Sequence, residues 1–262
     1  MLTSTAWILA AMALVAALER FVPLHVRARE RRAHLVPNLA LTAITFAVNA
    51  LLTAALVTGL AGLESRDLGL LRALALPAWA SIAAAIVALD FATWLAHTSM
   101  HRVPLFWRFH RVHHADRLVD VTTSIRQHPG ETAVRALFLA AFAVPLGVGP
   151  ATFALYRTLS AANSLLEHAN LRVPRRFDSA LSLLVVTPNA HKVHHSRRPA
   201  LTDTNFGNLS RSSIASLVCS RGPSAGSRSS TASTASTIRR ARRSRRCCAS
   251  PSAPRPANRR LR

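Results

Sequence analysis

The sequence predicts an all-α integral membrane protein, a transmembrane helical bundle with a helical cap at its cytoplasmic face that carries most of the histidines. Three observations predict it. Four long runs are almost free of charge. Histidines gather at helical spacings just beyond the ends of those runs. Half of the residues are apolar, even though the formal net charge is +22. A bilayer span needs about 20 apolar residues, and a soluble bundle would have to bury four such runs at once.

The first run, residues 4–18, is short. No basic residue precedes it, and a basic cluster (Arg20, Arg27, Arg29, Arg31, Arg32) follows without a small-residue cleavage site. It therefore reads as a first span ending in the cytoplasm, not as a signal peptide. The second run, residues 38–63, goes out. The loop at 64–72 carries two acids and two arginines and gives no inside signal. The third, residues 74–89, continues through Asp90 and "FATWLA" and returns to deliver His97. The fourth, residues 136–156, is broken by Pro145, Gly147, Gly149 and Pro150. It is expected to go out and back as a short hairpin ending near His168, so that Arg172, Arg175 and Arg176 are also inside. Every histidine then lies on one side of the membrane.

The charge is divided unevenly. All eleven acids lie at or before Asp203, and the chain up to residue 209 carries about +9. From Ser210 onward there are thirteen arginines, many serines, no acid and all three cysteines (Cys219, Cys247, Cys248). Such a segment has too little apolar surface to offset the entropy of ordering, so residues 210–262 are expected to be disordered. An arm for nucleic acid or anionic lipid is the functional alternative. The tail lacks the interleaved aromatics of a single-strand binder, and its adjacent cysteines have no metal-ligand spacing. No nucleic-acid partner is expected.

His97 and His101 stand four apart. His110, His113 and His114 stand at i, i+3 and i+4, and His191, His194 and His195 repeat that pattern. His168 follows the fourth run, and His128 sits in "RQHPGE". Residues at i, i+3 and i+4 share a helix face, so each pattern is expected to present two or three imidazoles to one point. Packed imidazoles repel when protonated and compete for donors when neutral; a metal resolves both by binding the neutral nitrogens. His25 and His34 lie alone in the basic segment and read as structural. Eight to ten histidines exceed the four ligands of a tetrahedral ion, so two ions are expected. Imidazole suits iron, zinc, copper and nickel alike. There is no His-Glu-x-x-His, no Glu-x-x-His and no cysteine near the histidines, which excludes the zinc-protease, carboxylate di-iron and iron–sulfur arrangements.

Taken together, "DFATWLAHTSMHRVPLFWRFHRVHH", "TSIRQHPGE", "EHANLRVP", "TPNAHKVHHS" and "TDTNFGN" resemble the fatty acid hydroxylase superfamily, also called the sterol desaturase family, over residues 90–208. The resemblance implies an all-helical membrane fold and a non-haem di-iron centre at the cytoplasmic face. It also implies O2 as co-substrate and electrons from an external electron donor, a separate electron-transfer protein. The implied ligands are His97, His101, His110, His113, His114, His168, His191, His194 and His195, with His128; zinc is a substitute that the same ligands accept in purified protein. The chain then divides into N-terminal transmembrane helices and a basic loop (1–72), a catalytic domain (73–209) and the Arg/Ser-rich tail (210–262). Two features depart from the family: Thr98 stands where arginine is usual, and the segment resembling Trp-Asp-Arg-Leu-Phe-Gly-Thr is missing after "NFGN". Synonymous codons for residues 210–219 can spell Asp-Arg-Leu-Phe-Gly in the neighbouring frame, so the tail is expected to derive from a frameshift near Leu209 that impairs this chain.

The implied reaction is hydroxylation, or desaturation, at an unactivated C–H bond of a lipid such as a sterol or fatty acyl chain that enters from the bilayer. The acids Asp90, Asp116, Asp120 and Glu131 are candidates to orient ligand imidazoles through their second N–H groups, or else to cap helices. The competing reading is a histidine-rich metal-binding membrane protein without oxygenase activity, either a transporter or an inactive truncated enzyme. Histidines on fixed helical spacings beyond span ends argue against transport.

Overall fold

The computed structural model describes residues 2–25, 31–116, 118–183, 185–196 and 199–210, and is all-helical over them. The expectations for residues 211–262 lie outside the described residues.

The chain begins with α1 (Leu2–Phe21) and α2 (Arg31–Glu64), followed by the single turn α3 (Leu70–Ala73) and by α4 (Ala78–Arg102). The short helix α5 (Pro104–His114) and a 3₁₀ turn at Val121–Ile125 lead to α6 (Pro129–Leu146) and α7 (Pro150–His168). Three short helices, α8 (Arg175–Leu181), α9 (Pro188–His194) and α10 (Pro199–Thr202), complete the cap. Proline opens α5, α6, α7 and α9 at the first helical position, where its missing N–H costs nothing and its fixed φ suits the helix. The expected break in the fourth run is the turn between α6 and α7: Gly147 ends α6 in the left-handed region at φ 66°. A Cβ on Gly147 would lie 2.3 Å from the Leu68 carbonyl, so the close approach of the 68–69 loop also demands glycine there.

Among the described residues, three helices are long and apolar enough to cross a membrane: Leu35–Glu64, Ala78–Arg102 and Pro129–Leu146. The first run forms α1 but is not among them. Their outer faces are apolar too: Trp79 is 75 % exposed, Leu51 73 % and Val87 69 %. Helices that are apolar all round suit a surrounding of lipid, where the helix already satisfies its own backbone. Inside, Leu60, Ala85, Leu89, Leu139, Ala143, Phe153 and Tyr156 bring α2, α4, α6 and α7 together in one core.

The histidine-bearing ends of these helices meet at one end of the bundle. The Glu19 carboxylate, at the end of α1, accepts the N–H groups of Val121 and Asn170 at 2.8 Å each. Asn38, near the start of α2, donates to Asp116 Oδ2 (3.0 Å) and Thr122 Oγ1 (2.9 Å) and accepts from Arg126 (2.7 Å). These bonds tie the start of the bundle to the loop after α5. Lys192 donates from Nζ to the Ala169 carbonyl and pins α9 to the end of α7.

Candidate metal centre

The cap brings nine of the ten singled-out histidines into two adjoining groups. His97, His101, His110, His114 and His194 form one, and His113, His168, His191 and His195 form the other; within each, one nitrogen from every ring lies within 4.8 Å of the rest. The groups touch: the rings of His114 and His195 stack at 4.5 Å, and those of His191 and His194 stack at 5.2 Å.

The triplets do not each converge on one point. His110 and His114 join the first group while His113 joins the second; His191 and His195 join the second while His194 joins the first. Residues four apart differ by only about 40° around a helix of 3.6 residues per turn, whereas neighbours differ by about 100°. An i, i+4 pair can therefore share an ion, and the remaining histidine must serve another. The two triplets are wired reciprocally, and each contributes to both groups.

The ring nitrogens are sorted by what they face. Nε2 of His97 and His194 lie 3.1 Å apart, and those of His110 and His114 3.2 Å apart. In the second group the Nε2 separations are 3.1 Å (His113–His168), 3.0 Å (His168–His191) and 3.2 Å (His191–His195). The opposite nitrogens face backbone carbonyls: His97 Nδ1 that of Phe206 (3.2 Å), His194 Nδ1 Thr204 (2.7 Å), His113 Nδ1 Arg126 (3.2 Å) and His168 Nδ1 Ser164 (2.7 Å). A carbonyl only accepts, so each of these Nδ1 atoms carries the proton and donates it. Nε2 is then a bare lone pair. Lone pairs facing one another at such distances repel unless a cation lies between them. Two donors bound at about 2.1 Å and at right angles to one ion would stand about 3.0 Å apart. The donor set thus fits two imidazole-ligated metal ions.

Burial enforces the neutral form. Desolvation holds His110, His114, His191, His194 and His195 well below the usual imidazole range and pushes His113 down to about 3.

His128 joins neither group. Its Nδ1 accepts the Gly130 N–H at 3.0 Å as the N-cap of α6, and its ring stacks on Phe109 at 5.0 Å. Of the four candidate orienting acids, Glu131 lies beside a clustered histidine: Oε1 lies 3.1 Å from His110 Nδ1, an electrostatic contact and not an aligned hydrogen bond. The same oxygen accepts from Arg135 Nη2 at 3.0 Å. Asp120 caps the 3₁₀ turn, and Asp116 accepts from Asn38, Thr123 and Leu118. Asp90 acts at one remove. It accepts the N–H groups of Leu209 (2.9 Å) and Ser210 (3.1 Å) and the Asn208 side chain (3.3 Å), anchoring the segment whose carbonyls hold His97 and His194.

Two acids were not legible as site residues. Glu167, buried, lies 3.8 Å from His168 Nδ1 and 3.9 Å from His191 Nε2; its position directly before His168 was the available signal. Asp203 lies 3.3 Å from His101 Nδ1 and belongs to the "TDTNFGN" motif. A cavity of about 170 Å³ runs from His97, His113, His168 and His191 into the bundle between α2, α6 and α7.

The fatty acid hydroxylase family model matches residues 82–213. The chain is 32 % identical over 122 residues to an alkylglycerol monooxygenase of Caenorhabditis elegans, covering 46 % of this chain and 23 % of that protein. It is 29 % identical over 125 residues to the ornithine lipid hydroxylase OlsE of Rhizobium tropici, covering 47 % and 36 %. An alkylglycerol monooxygenase of Danio rerio is 26 % identical over 125 residues, covering 48 % and 27 %. The matched region thus spans about a quarter to a third of these relatives' length. No solved structure matches the chain at a significant level.

Proposed function

The chain belongs to the fatty acid hydroxylase family, and from that premise we propose that it hydroxylates an unactivated C–H bond of a membrane lipid with O2 and electrons from a separate donor protein. The observation that carries this reading is the convergence of eight Nε2 atoms, four of them bare lone pairs, into two touching groups at the mouth of a cavity with apolar and polar walls. His97, His101, His110, His114 and His194 would hold one iron ion, and His113, His168, His191 and His195 the second. When bound, the iron supplies the redox and O2-activating chemistry that no side chain provides.

The chain's own residues do the rest. The carbonyls of Arg126, Ser164, Thr204 and Phe206 hold the Nδ1 protons of their histidines and keep Nε2 free to ligate. Glu131 and Glu167 place carboxyl groups beside imidazoles that would share the positive charge of the ions. Phe46, Leu52 and Phe153 line the cavity, exclude water and take an alkyl chain. Relatives named as a monooxygenase and a hydroxylase of lipids support hydroxylation over desaturation.

Anaerobically purified protein should carry two irons per chain by elemental analysis and show ultraviolet–visible bands that change on exposure to O2. Supplied lipids should gain one oxygen. Metal uptake without O2 consumption would reduce the protein to a metal binder. The histidine end is cytoplasmic in this reading, on the strength of the basic residues Arg20, Arg172, Arg175 and Arg176 that flank it. Single cysteines at the exposed positions Arg66 and Arg111, in a background without the native cysteines, should label from outside and inside respectively; the reverse would invert the topology.

A further inference from the structure

We infer that Arg157 and Asn49 form an oxyanion-binding subsite within the cavity, which selects a single-chain lipid bearing a carboxylate or phosphate; the inference deepens the lipid-hydroxylase reading. Arg157 lies on α7 eleven residues before His168, and Asn49 lies on α2 eleven residues after Asn38. At the helical rise each is about 16 Å from the histidine end of the bundle. Asn49 is also inside the Leu35–Glu64 span, so the pair sits at membrane depth. Both side chains line the cavity, among Phe46, Leu52, Leu56 and Phe153.

Arg157 Nη2 donates to Asn49 Oδ1 at 2.9 Å. Asn49 is neutral, and among the described residues no carboxylate pairs with the guanidinium. Arg135, which also lines the cavity, is different, because its Nη2 meets Glu131 Oε1 at 3.0 Å. A guanidinium keeps its charge under all ordinary conditions. At membrane depth an ionisable group is costly and faces a partner or a functional cavity. Arg157 has the cavity but no anionic partner, and its planar fork matches the two oxygens of a carboxylate or phosphate. The opposite end holds the Glu167 carboxyl, beside the histidines. A ligand anchored at Arg157 would extend its chain toward the histidines and present a carbon remote from the anchored group.

The test uses the full chain in lipid nanodiscs and three radiolabelled probes of equal chain length: palmitate, palmitoyl lysophosphatidate and neutral hexadecanol. Wild type should bind at least one anionic probe about tenfold more tightly than hexadecanol, as charge-assisted bonds require. Preference for palmitate assigns a carboxylate, and preference for lysophosphatidate assigns a phosphate. Arg157→Gln should remove the preference and leave hexadecanol binding unchanged. Asn49→Asp, which supplies an internal carboxylate and leaves the cation in place, should remove it as well without depending on how the first variant folds. Equal binding of all three probes by wild type, or a preference that survives Asn49→Asp, overturns the subsite. If the preference behaves as expected but iron-loaded protein oxidises neither anionic lipid, the subsite stands and the hydroxylase reading fails. Oxidation of lipid with the preference absent fails the subsite alone.

Discussion

The two histidine groups use the same residue type and differ in what holds them. The second group is oriented from within the bundle: His168 by the carbonyl of Ser164 one turn earlier on α7, and His113 by the carbonyl of Arg126, whose side chain is tied to Val112 and Asn38. The first group depends on the last stretch of described chain, where Asp203, Thr204 and Phe206 supply the partners of His101, His194 and His97. That stretch has only one turn of helix before it, α10. It is held from outside, by Asp90 on Leu209 and Ser210 and by Asn205 Nδ2 on the Ala190 carbonyl at 3.0 Å. Two histidine groups of similar composition should therefore respond differently to damage. The first should be lost through its supporting segment, the second only through its ligands.

Removing a ligand from either group gives the largest effect. His194→Ala and His113→Ala should each abolish lipid oxidation, because one group then lacks a ligand and a two-metal centre needs both. Bound iron should fall from two per chain to one or fewer, and His25→Ala should change neither quantity. Anaerobic metal analysis of the three variants decides this. Full iron loading in His194→Ala would show that the structure groups the wrong rings.

Acid should act on both groups at once. The folded state holds His110, His113, His114, His191, His194 and His195 neutral through burial, while the unfolded chain protonates them below its ordinary value of 6.5. A base whose folded pKa is depressed contributes no penalty above 6.5. As the pH falls further, the unfolded state binds more protons and folding loses about 1.4 kcal/mol per group per pH unit. For His113 that window runs down to about 3. The unfolding temperature of metal-free protein should therefore be nearly flat from pH 7.5 to pH 6.5 and drop steeply from pH 6.5 to pH 5.5. Iron-loaded protein should resist at the upper end and then release metal. A temperature that stays flat or rises over the lower of these intervals would contradict neutral burial.

Asp90→Asn separates the groups. Asp90 touches no histidine, yet its carboxylate fixes the segment that orients His97 and His194. The variant should lose about 10- to 100-fold in affinity for one ion, the usual cost of losing an orienting partner, and keep the other. Two-step metal titration would read this as one weakened and one unchanged step. Equal weakening of both would erase the distinction between the groups.

The histidines were legible because helical spacing constrains them: His97 with His101 and His110 with His114 had to share a face, and both pairs do share a group. The division of each triplet between two groups was equally implicit in the 100° step between neighbours, but it shows only when both helices are placed. The four orienting carbonyls could not be read at all, since a carbonyl belongs to every residue and only backbone geometry selects it. Glu131 was readable as a candidate because it stands near "QHPG", and Asp90 because it breaks an apolar run. What Asp90 binds depends on a segment more than a hundred residues away. Three of the four expected membrane spans were readable as apolar runs, whereas the joint between α6 and α7 needed both the glycine at 147 and its contact with the 68–69 loop.

The smallest effect sharpens the comparison within the first group. Asp203 lies 3.3 Å from His101 Nδ1, but its side chain is 69 % exposed. Water can replace an exposed partner, so the carboxylate does less to fix His101 than the buried carbonyls of Thr204 and Phe206 do for His194 and His97. Asp203→Asn retains an oxygen able to accept from Nδ1 and removes only the charge. Iron affinity should fall by no more than about threefold, within the range of exposed charge pairs, and oxidation should follow in proportion. Metal titration of the variant beside Asp90→Asn makes the comparison. A larger loss from Asp203→Asn than from Asp90→Asn would mean that the charge beside His101, and not the anchoring of the 204–210 segment, governs the first group.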